Sequence, residues 1–394
     1  MSSFFVAVLC VFSVIVVLQF VLLRLVLPQR LSKTTRLVIS SVVTLGLNTI
    51  PFLYLWSGAI FDEQPWWHRE LIIFSYTILL VTSALSGTIL LIIWLVSSTL
   101  FRRNHKFDSS KRQLLTNSAR LLTGASLTVL AYGAYHENRT LDVSRLVLPY
   151  TGLHPDLQGF TLVHLTDIHA GPFISFDTIA EIVTRTNGLK PDLIVMTGDY
   201  INHNPNYIDG CLQILDELEA PAGVLGVYGN HDYYTGISAM REAFGKTQIS
   251  MLTDSHGVAN GLEGLLNIIG ADDPVSGWAT DARFRNLTQV SKLILPERFN
   301  LLLSHRPGIF GSCQEWNVDL TLAGHTHGGQ VIFPGIGSRG LSLAGPFLSY
   351  THGLYKAEQN PEVRMYLSRG LGTIVAPVRL FCKPEIVEIT LVEA

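Results

Sequence analysis

The stretch TLAGHTHGGQ, residues 321–330, places two histidines one residue apart, directly after an apolar run. Residues two apart can turn their side chains to the same side where a strand opens into a loop. Glycines at 324, 328 and 329 flank His325 and His327, and glycine lets the backbone bend sharply and approach a neighbouring group closely. The pattern indicates the end of a strand, where two imidazoles project from a sharply bent backbone.

Four other segments repeat this design, each a short apolar run that ends in Asp, Asn or His. They are FTLVHLTDIHAG (160–171), PDLIVMTGDY (191–200), GVLGVYGNHD (223–232) and FNLLLSHRP (299–307). Helical spacing of apolar residues in DTIAEIVTRTNGLK (177–190) separates two of them. Alternating strands and helices predict a layered α/β fold, in which ligands bind at the ends of the strands.

The polar residues at these ends form one mixed set of nitrogen and oxygen donors without a thiolate. They are Asp167, His169, Asp199, Asn230, His231, Asp232, His305, His325 and His327. Such donors suit Mn²⁺, with iron or Zn²⁺ as alternatives. Two ions roughly 3.5–4 Å apart need a shared carboxylate, and Asp199 lies centrally in the series. Structural capping of five strand ends would explain the same residues only by coincidence.

The motifs DIH (167–169), GD (198–199), GNHD (229–232), SH (304–305) and GHTH (324–327) resemble those of the calcineurin-like metallophosphoesterases in order and approximate spacing. The resemblance covers roughly residues 160–392. It implies a four-layer α-β-β-α sandwich that hydrolyses phosphoesters. GHTHGGQ and the tail SRGLGT…PVRLFCKPEI look like a subgroup of membrane-associated bacterial phosphodiesterases, similar to UDP-2,3-diacylglucosamine hydrolase-type relatives.

The resemblance also implies a role for each residue. One divalent ion would be held by Asp167, His169, Asp199 and His327. The other would be held by Asp199, Asn230, His305 and His325. A hydroxide bridging the ions would attack the phosphorus, with His231 as the general acid and Asp232 orienting it. His203 and Arg306 lie close enough in sequence to these motifs to contact the substrate.

Residues 1–135 differ from the rest of the chain in composition. They hold 11 of the 28 basic and 4 of the 31 acidic side chains, so residues 136–394 carry the other 17 and 27. Long uncharged runs predict four transmembrane helices near 4–23, 37–60, 71–100 and 113–135. A linker and first strand follow over 136–159, and the phosphoesterase domain spans 160–394. The acidic second part argues against duplex nucleic acid as a partner.

Basic loops between the first and second spans and between the third and fourth predict that both face the cytoplasm. The chain would then be a multi-pass protein of a bacterial inner (plasma) membrane. Its catalytic domain would be extracytoplasmic if the segment near 113–135 spans, and cytoplasmic if that segment lies on the surface. SKRQLL (110–115) resembles a twin-arginine signal with Lys111 in place of the first arginine.

These features leave several functions open. The leading interpretation is a membrane-anchored hydrolase of phosphodiester or pyrophosphate bonds, with a lipid-linked substrate as one option. The alternatives are a phosphomonoesterase of the cell envelope and a membrane sensor or scaffold that binds a phosphorylated ligand without turnover. An intact set of ligands favours an enzyme over the sensor. The sequence leaves the oligomeric state open.

Overall fold

The computed structural model describes residues 31–56, 109–274, 287–335, 340–374 and 377–394, apart from positions 343 and 347, and scattered positions between 16 and 30. The chain divides into two compact units, Met1–Gly133 and Ala134–Ala394. The first unit contains α1 (Lys33–Trp56) and most of α2 (Ser109–Tyr135).

Two of the four predicted membrane spans, those near 37–60 and 113–135, fall on α1 and α2. The span near 71–100 lies outside the described residues, and the one near 4–23 lies mostly outside them. Within the described part of the chain, no helix combines the length and the hydropathy that crossing a bilayer requires.

The second unit alternates strands and helices. Its strands are β1 (Asp142–Tyr150), β2 (Thr161–Leu165), β3 (Leu193–Thr197), β4 (Val224–Val227), β5 (Ser250–Met251), β6 (Ser255–Gly257), β7 (Leu266–Ala271), β8 (Phe299–Ser304), β9 (Leu320–Ala323), β10 (Ile332–Phe333), β11 (Leu341–Ser342), β12 (Gly353–Lys356), β13 (Arg364–Leu367) and β14 (Glu385–Glu393). Its helices are α3 (Phe176–Gly188), α4 (Ile208–Leu215), α5 (Asn230–Phe244), α6 (Leu287–Ser291) and α7 (Phe310–Trp316).

Twelve of these strands form two mixed six-stranded sheets. The first sheet has the order β1-β14-β2-β3-β4-β5, and the second has the order β12-β13-β9-β8-β7-β6. The strands β2, β3 and β4 run parallel in the first sheet, and β7, β8, β9 and β13 run parallel in the second. Their carboxyl ends therefore meet along one edge of each sheet, where the predicted site residues follow.

Three apolar clusters define the layers. Alternate residues of β2 and β3 point to opposite faces, as strand geometry requires. Leu162 and Leu193 pack with Leu301 and Leu322 between the two sheets. Ile194 and its outward-facing neighbours pack against α3, α4 and α5. The outer face of the second sheet packs against α6 and α7. This arrangement confirms the predicted layered α/β fold.

The described cysteines form no disulfide. Cys211, Cys313 and Cys382 are free and buried, and each lies in the interior of the second unit. Burial raises the pKa of the Cys313 thiol to about 12, so this side chain behaves as a small apolar group.

Candidate metal centre

The predicted site residues leave their strands through an unusual backbone conformation. Asp167, His169, Asp199, His325 and His327 all have positive φ, between 50° and 75°. Non-glycine residues rarely adopt this region, and each such residue costs about 1–3 kcal/mol unless its surroundings hold it. This conformation gives a sharp backbone turn after each strand, and the ligand atoms of the five residues lie close together.

One group of side chains gathers Asp167 and His169, which follow β2, with His327, which follows β9. Nε2 of His327 lies 3.2 Å from Oδ1 of Asp167 and 3.1 Å from Nε2 of His169. All three residues are buried, with at most 2% of their surface exposed. Three lone-pair donors this close together are favourable when a cation lies between them.

A second group gathers His305, which follows β8, with Asn230 from the first turn of α5 and His325 from the β9 loop. Nε2 of His305 lies 3.2 Å from Oδ1 of Asn230 and 3.1 Å from Nδ1 of His325. The structure therefore places the two histidines of TLAGHTHGGQ in different groups.

Asp199 lies between the groups. Its Oδ2 is 3.4 Å from Nε2 of His169 in the first group and 3.2 Å from Nε2 of His305 in the second. Close approach of the backbone makes this position possible, because a Cβ at Gly229 would lie 2.3 Å from Oδ1 of Asp199. A similar restriction applies at Gly324, where a Cβ would lie 2.2 Å from Oδ2 of Asp167.

Protonation states suit cation binding. Burial lowers the pKa of His169 to about 4 and that of His325 to about 3, so both rings are neutral and carry a lone pair at neutral pH. Burial alone would raise the pKa of Asp199, but the adjacent His305 holds that pKa far below its ordinary value. Burial opposes a charge on His305, but Asp199 raises the pKa of His305 to about 10, so this ring carries a proton that a bound cation would displace. An ionised carboxylate and four imidazoles fit two divalent cations in their donor atoms.

Backbone carbonyls orient the imidazoles. Nδ1 of His305 lies 2.7 Å from the Thr197 carbonyl, and Nδ1 of His327 lies 3.1 Å from the Gly372 carbonyl. A protonated Nδ1 that donates to a carbonyl leaves the Nε2 lone pair for a cation. Backbone carbonyls are not specified by residue type, so neither contact could be predicted from the sequence.

The structure corrects the role expected for Asp232. Its carboxylate does not orient His231 but accepts hydrogen bonds from the backbone amides of Asp199, Tyr200 and Gly229. Asp232 thereby fixes the strained turn that carries Asp199. The group facing Nδ1 of His231 is the carbonyl of Asn202, 2.5 Å away.

The two residues expected to contact the substrate lie in different environments. His203 is exposed, and its ring centroid is 4.6 Å from that of His231. Arg306 is 1% exposed, and its Nε donates to Oδ2 of Asp273 at 2.8 Å. His203 thus lies at the rim of the site, whereas Arg306 is held inside the protein by an ion pair.

Fold and site together define a metallophosphoesterase, and the chain belongs to the calcineurin-like phosphoesterase family. The model of that family matches residues 160–329. The Bacillus subtilis metallophosphoesterase YkuE is 30% identical over 297 residues, which cover 72% of this chain and 97% of YkuE. A zebrafish protein named transmembrane protein with metallophosphoesterase domain is 28% identical over 375 residues, 90% of this chain and 80% of that protein.

One solved structure to which this chain is similar is a dimetal phosphatase from zebrafish. It has 11% sequence identity and a TM-score of 0.34 over 54% of this chain and 88% of that one.

Substitution of Asp199 by Asn should reduce the metal content of the protein. The amide keeps the size of the side chain but removes the charge shared by both groups. We expect wild-type chains reloaded with Mn²⁺ to bind two ions and the variant to bind one or none, measured by equilibrium dialysis with elemental analysis. Asp209→Asn, on the exposed surface of α4, is the matched control. Two tightly bound ions in the Asp199 variant would contradict a shared carboxylate.

Proposed function

We propose that this protein hydrolyses phosphodiester or pyrophosphate bonds with two divalent cations. The observation that carries the proposal is the position of Asp199, one buried carboxylate within 3.4 Å of imidazoles from both groups. The proposed ligands are Asp167, His169, Asp199 and His327 for one cation and Asp199, Asn230, His305 and His325 for the other. Mn²⁺ is the proposed metal, since the donors are nitrogen and oxygen only; iron and Zn²⁺ also accept such donors.

When bound, the two cations supply Lewis-acid stabilisation of the phosphoryl oxygens and lower the pKa of a coordinated water. The chain contributes the fixed positions of the ligands. It also excludes bulk water, because the metal-ligand side chains of the first group are almost fully buried. Fixed dipoles and charges of this kind stabilise a transition state without reorganising during the reaction.

His231 is the proposed general acid. In its imidazolium form, Nδ1–H donates to the Asn202 carbonyl, and Nε2–H can donate a proton to the leaving oxygen. The ring stands nearly perpendicular to that of His169, with centroids 4.7 Å apart, so it lies beside the first group. His203 stacks on the outer side of His231 and is the proposed contact for the leaving group. Arg306 is proposed to act on the site through its buried charge, which adds to burial and His305 in lowering the pKa of His325.

The activity itself is tested by comparing two substrates. We expect the full chain, reloaded with Mn²⁺, to hydrolyse bis-p-nitrophenyl phosphate faster than p-nitrophenyl phosphate, with Asp199→Asn as the blank. A preference for the monoester would instead indicate a phosphomonoesterase. Hydrolysis of neither substrate by protein with two bound ions would favour the sensor or scaffold function.

Substitution of His231 by Asn should affect poor leaving groups most. General-acid assistance is typically worth about 10²–10⁴-fold for a leaving group that needs a proton, whereas p-nitrophenolate leaves without one. We therefore expect a large loss of kcat/KM for alkyl phosphodiesters and a much smaller loss for p-nitrophenyl esters. Equal losses for both classes would assign His231 a role other than proton donation.

We also propose that residues 1–135 anchor the protein in a bacterial inner membrane. The long uncharged runs of the sequence support this proposal, as does the name of the zebrafish relative. An anchored site would suit a lipid-linked phosphoester. If the segment near 113–135 spans the membrane, the basic loops predict an extracytoplasmic catalytic domain.

Membrane fractionation tests the anchor. The chain should stay in the membrane pellet after washing with alkaline carbonate and should be released by detergent, while residues 136–394 expressed alone serve as the control. Release of the whole chain by carbonate would contradict the anchor. A reporter enzyme fused after Ala394 then distinguishes an extracytoplasmic from a cytoplasmic catalytic domain.

A further inference from the structure

Arg379 is one of the largest fully buried side chains of the protein, with 0% of its surface exposed. Buried charges are normally paired with an opposite charge, because desolvation costs several kcal/mol or more. Among the residues that the structure describes, however, Arg379 forms no ion pair with a carboxylate. Its guanidinium donates to backbone carbonyls instead, which raises the question of what this costly arrangement holds in place.

The carbonyls that accept from Arg379 belong to the segment 369–372 and to Cys382, three residues after Arg379. Nη2 donates to the carbonyls of Arg369 at 2.9 Å and Gly370 at 3.1 Å, and also to that of Gly372. Nη1 donates to the carbonyl of Cys382 at 3.0 Å. The planar fork of an arginine side chain can serve several fixed acceptors at once, which an ammonium group cannot match.

The Gly372 carbonyl is shared with the metal centre. It lies 3.1 Å from Nδ1 of His327, so it fixes both the tautomer and the rotation of that imidazole. With Nδ1–H donating to this carbonyl, Nε2 faces Asp167 and His169. The chain of contacts therefore runs from the buried guanidinium through one peptide group to a proposed metal ligand.

The same segment also contacts the turn that carries Asp167. The amide of Leu371 donates to the Thr166 carbonyl at 3.0 Å, and the amide of Gly372 donates to the Asp167 carbonyl at 2.6 Å. A Cβ at Gly372 would lie 2.3 Å from the Ile168 carbonyl oxygen. Movement of residues 370–372 would therefore displace Asp167 and His327 together.

We propose that Arg379 is a positioning residue for the metal group formed by Asp167, His169 and His327. This inference rests on the proposed function, since it requires that group to bind a cation. The second group has an outer contact of its own, because its His305 is oriented by the Thr197 carbonyl. The segment is linked to this group less directly, through Asp167, whose carboxylate accepts from the backbone amide of His325. Loss of Arg379 should therefore weaken one of two metal positions and leave the other nearly unchanged.

The test uses the full chain with Arg379→Met and Arg379→Lys. Loss of an outer partner of a metal ligand typically lowers metal affinity about 10–100-fold. We expect Arg379→Met to bind its first Mn²⁺ as the wild type does and its second about 10–100-fold more weakly, measured by calorimetric titration. At two equivalents of Mn²⁺, where the electron paramagnetic resonance spectrum of the wild type should show the spin coupling of a dinuclear centre, the spectrum of Arg379→Met should show mainly uncoupled Mn²⁺. Arg379→Lys, which keeps the charge without the fork, should be intermediate.

Arg364→Met is the matched control. Arg364 is also buried, but its guanidinium lies over the ring of Tyr150, 4.4 Å from the centroid, and Nε donates to the Pro361 carbonyl. Its removal should lower thermal stability without changing either metal affinity.

The outcomes separate this inference from the proposed function. If wild-type protein binds no pair of Mn²⁺ ions, the proposed function fails. If wild type binds two ions and both Arg379 variants bind two with unchanged affinity, Arg379 has no positioning role. An equal loss at both positions, together with reduced thermal stability, would likewise overturn the inference. If Arg379→Met does not fold, the affinities of Arg379→Lys decide between the same results.

Discussion

The metal centre depends on non-glycine residues that are held in a left-handed backbone conformation at the ends of parallel strands. Five predicted ligands have this conformation, and an isolated peptide would leave it for a more favourable one. The surrounding protein must therefore supply compensating contacts at each turn. The carboxylate of Asp232, in the first turn of α5, and the segment 370–372 supply such contacts.

These contacts share a chemical character. Backbone amides converge on the carboxylates of Asp232 and Asp167, and imidazole Nδ1 atoms face carbonyls of Thr197, Asn202 and Gly372. Backbone groups are fixed by the sheets and carry no side-chain entropy that ordering would remove. A site built on such partners keeps its geometry with little reorganisation when charge changes within it.

The site residues that could be predicted from the sequence are those that come shortly after a strand. Residues such as His305 and Asp199 could be identified because each directly follows an apolar run, and parallel strands bring their ends together.

Contacts between distant segments could not be predicted in the same way. Arg379 lies within the tail PVRLFCKPEI, but its acceptors are carbonyls, which every residue possesses. The ion pair of Arg306 could not be predicted from the sequence either, because only the tertiary structure places Asp273 against it. Asp232 was expected to orient its sequence neighbour, yet a helix start directs its side chain to amides of another loop. The residue type shows which side chains can donate or accept hydrogen bonds, but tertiary packing determines which donor meets which acceptor.

The position of β14 has a consequence for biosynthesis. This strand lies between β1 and β2, pairing with the former in parallel and the latter in antiparallel register. As the ribosome proceeds, β1 and β2 emerge about 220 residues before β14 can enter the gap between them. The first sheet cannot close until residues 385–393 have been synthesised, so the backbone N–H and C=O groups on the facing edges of β1 and β2 have no β14 to pair with until then. The strand order therefore leaves these edges open to incorrect pairing until the last strand of the unit has been made.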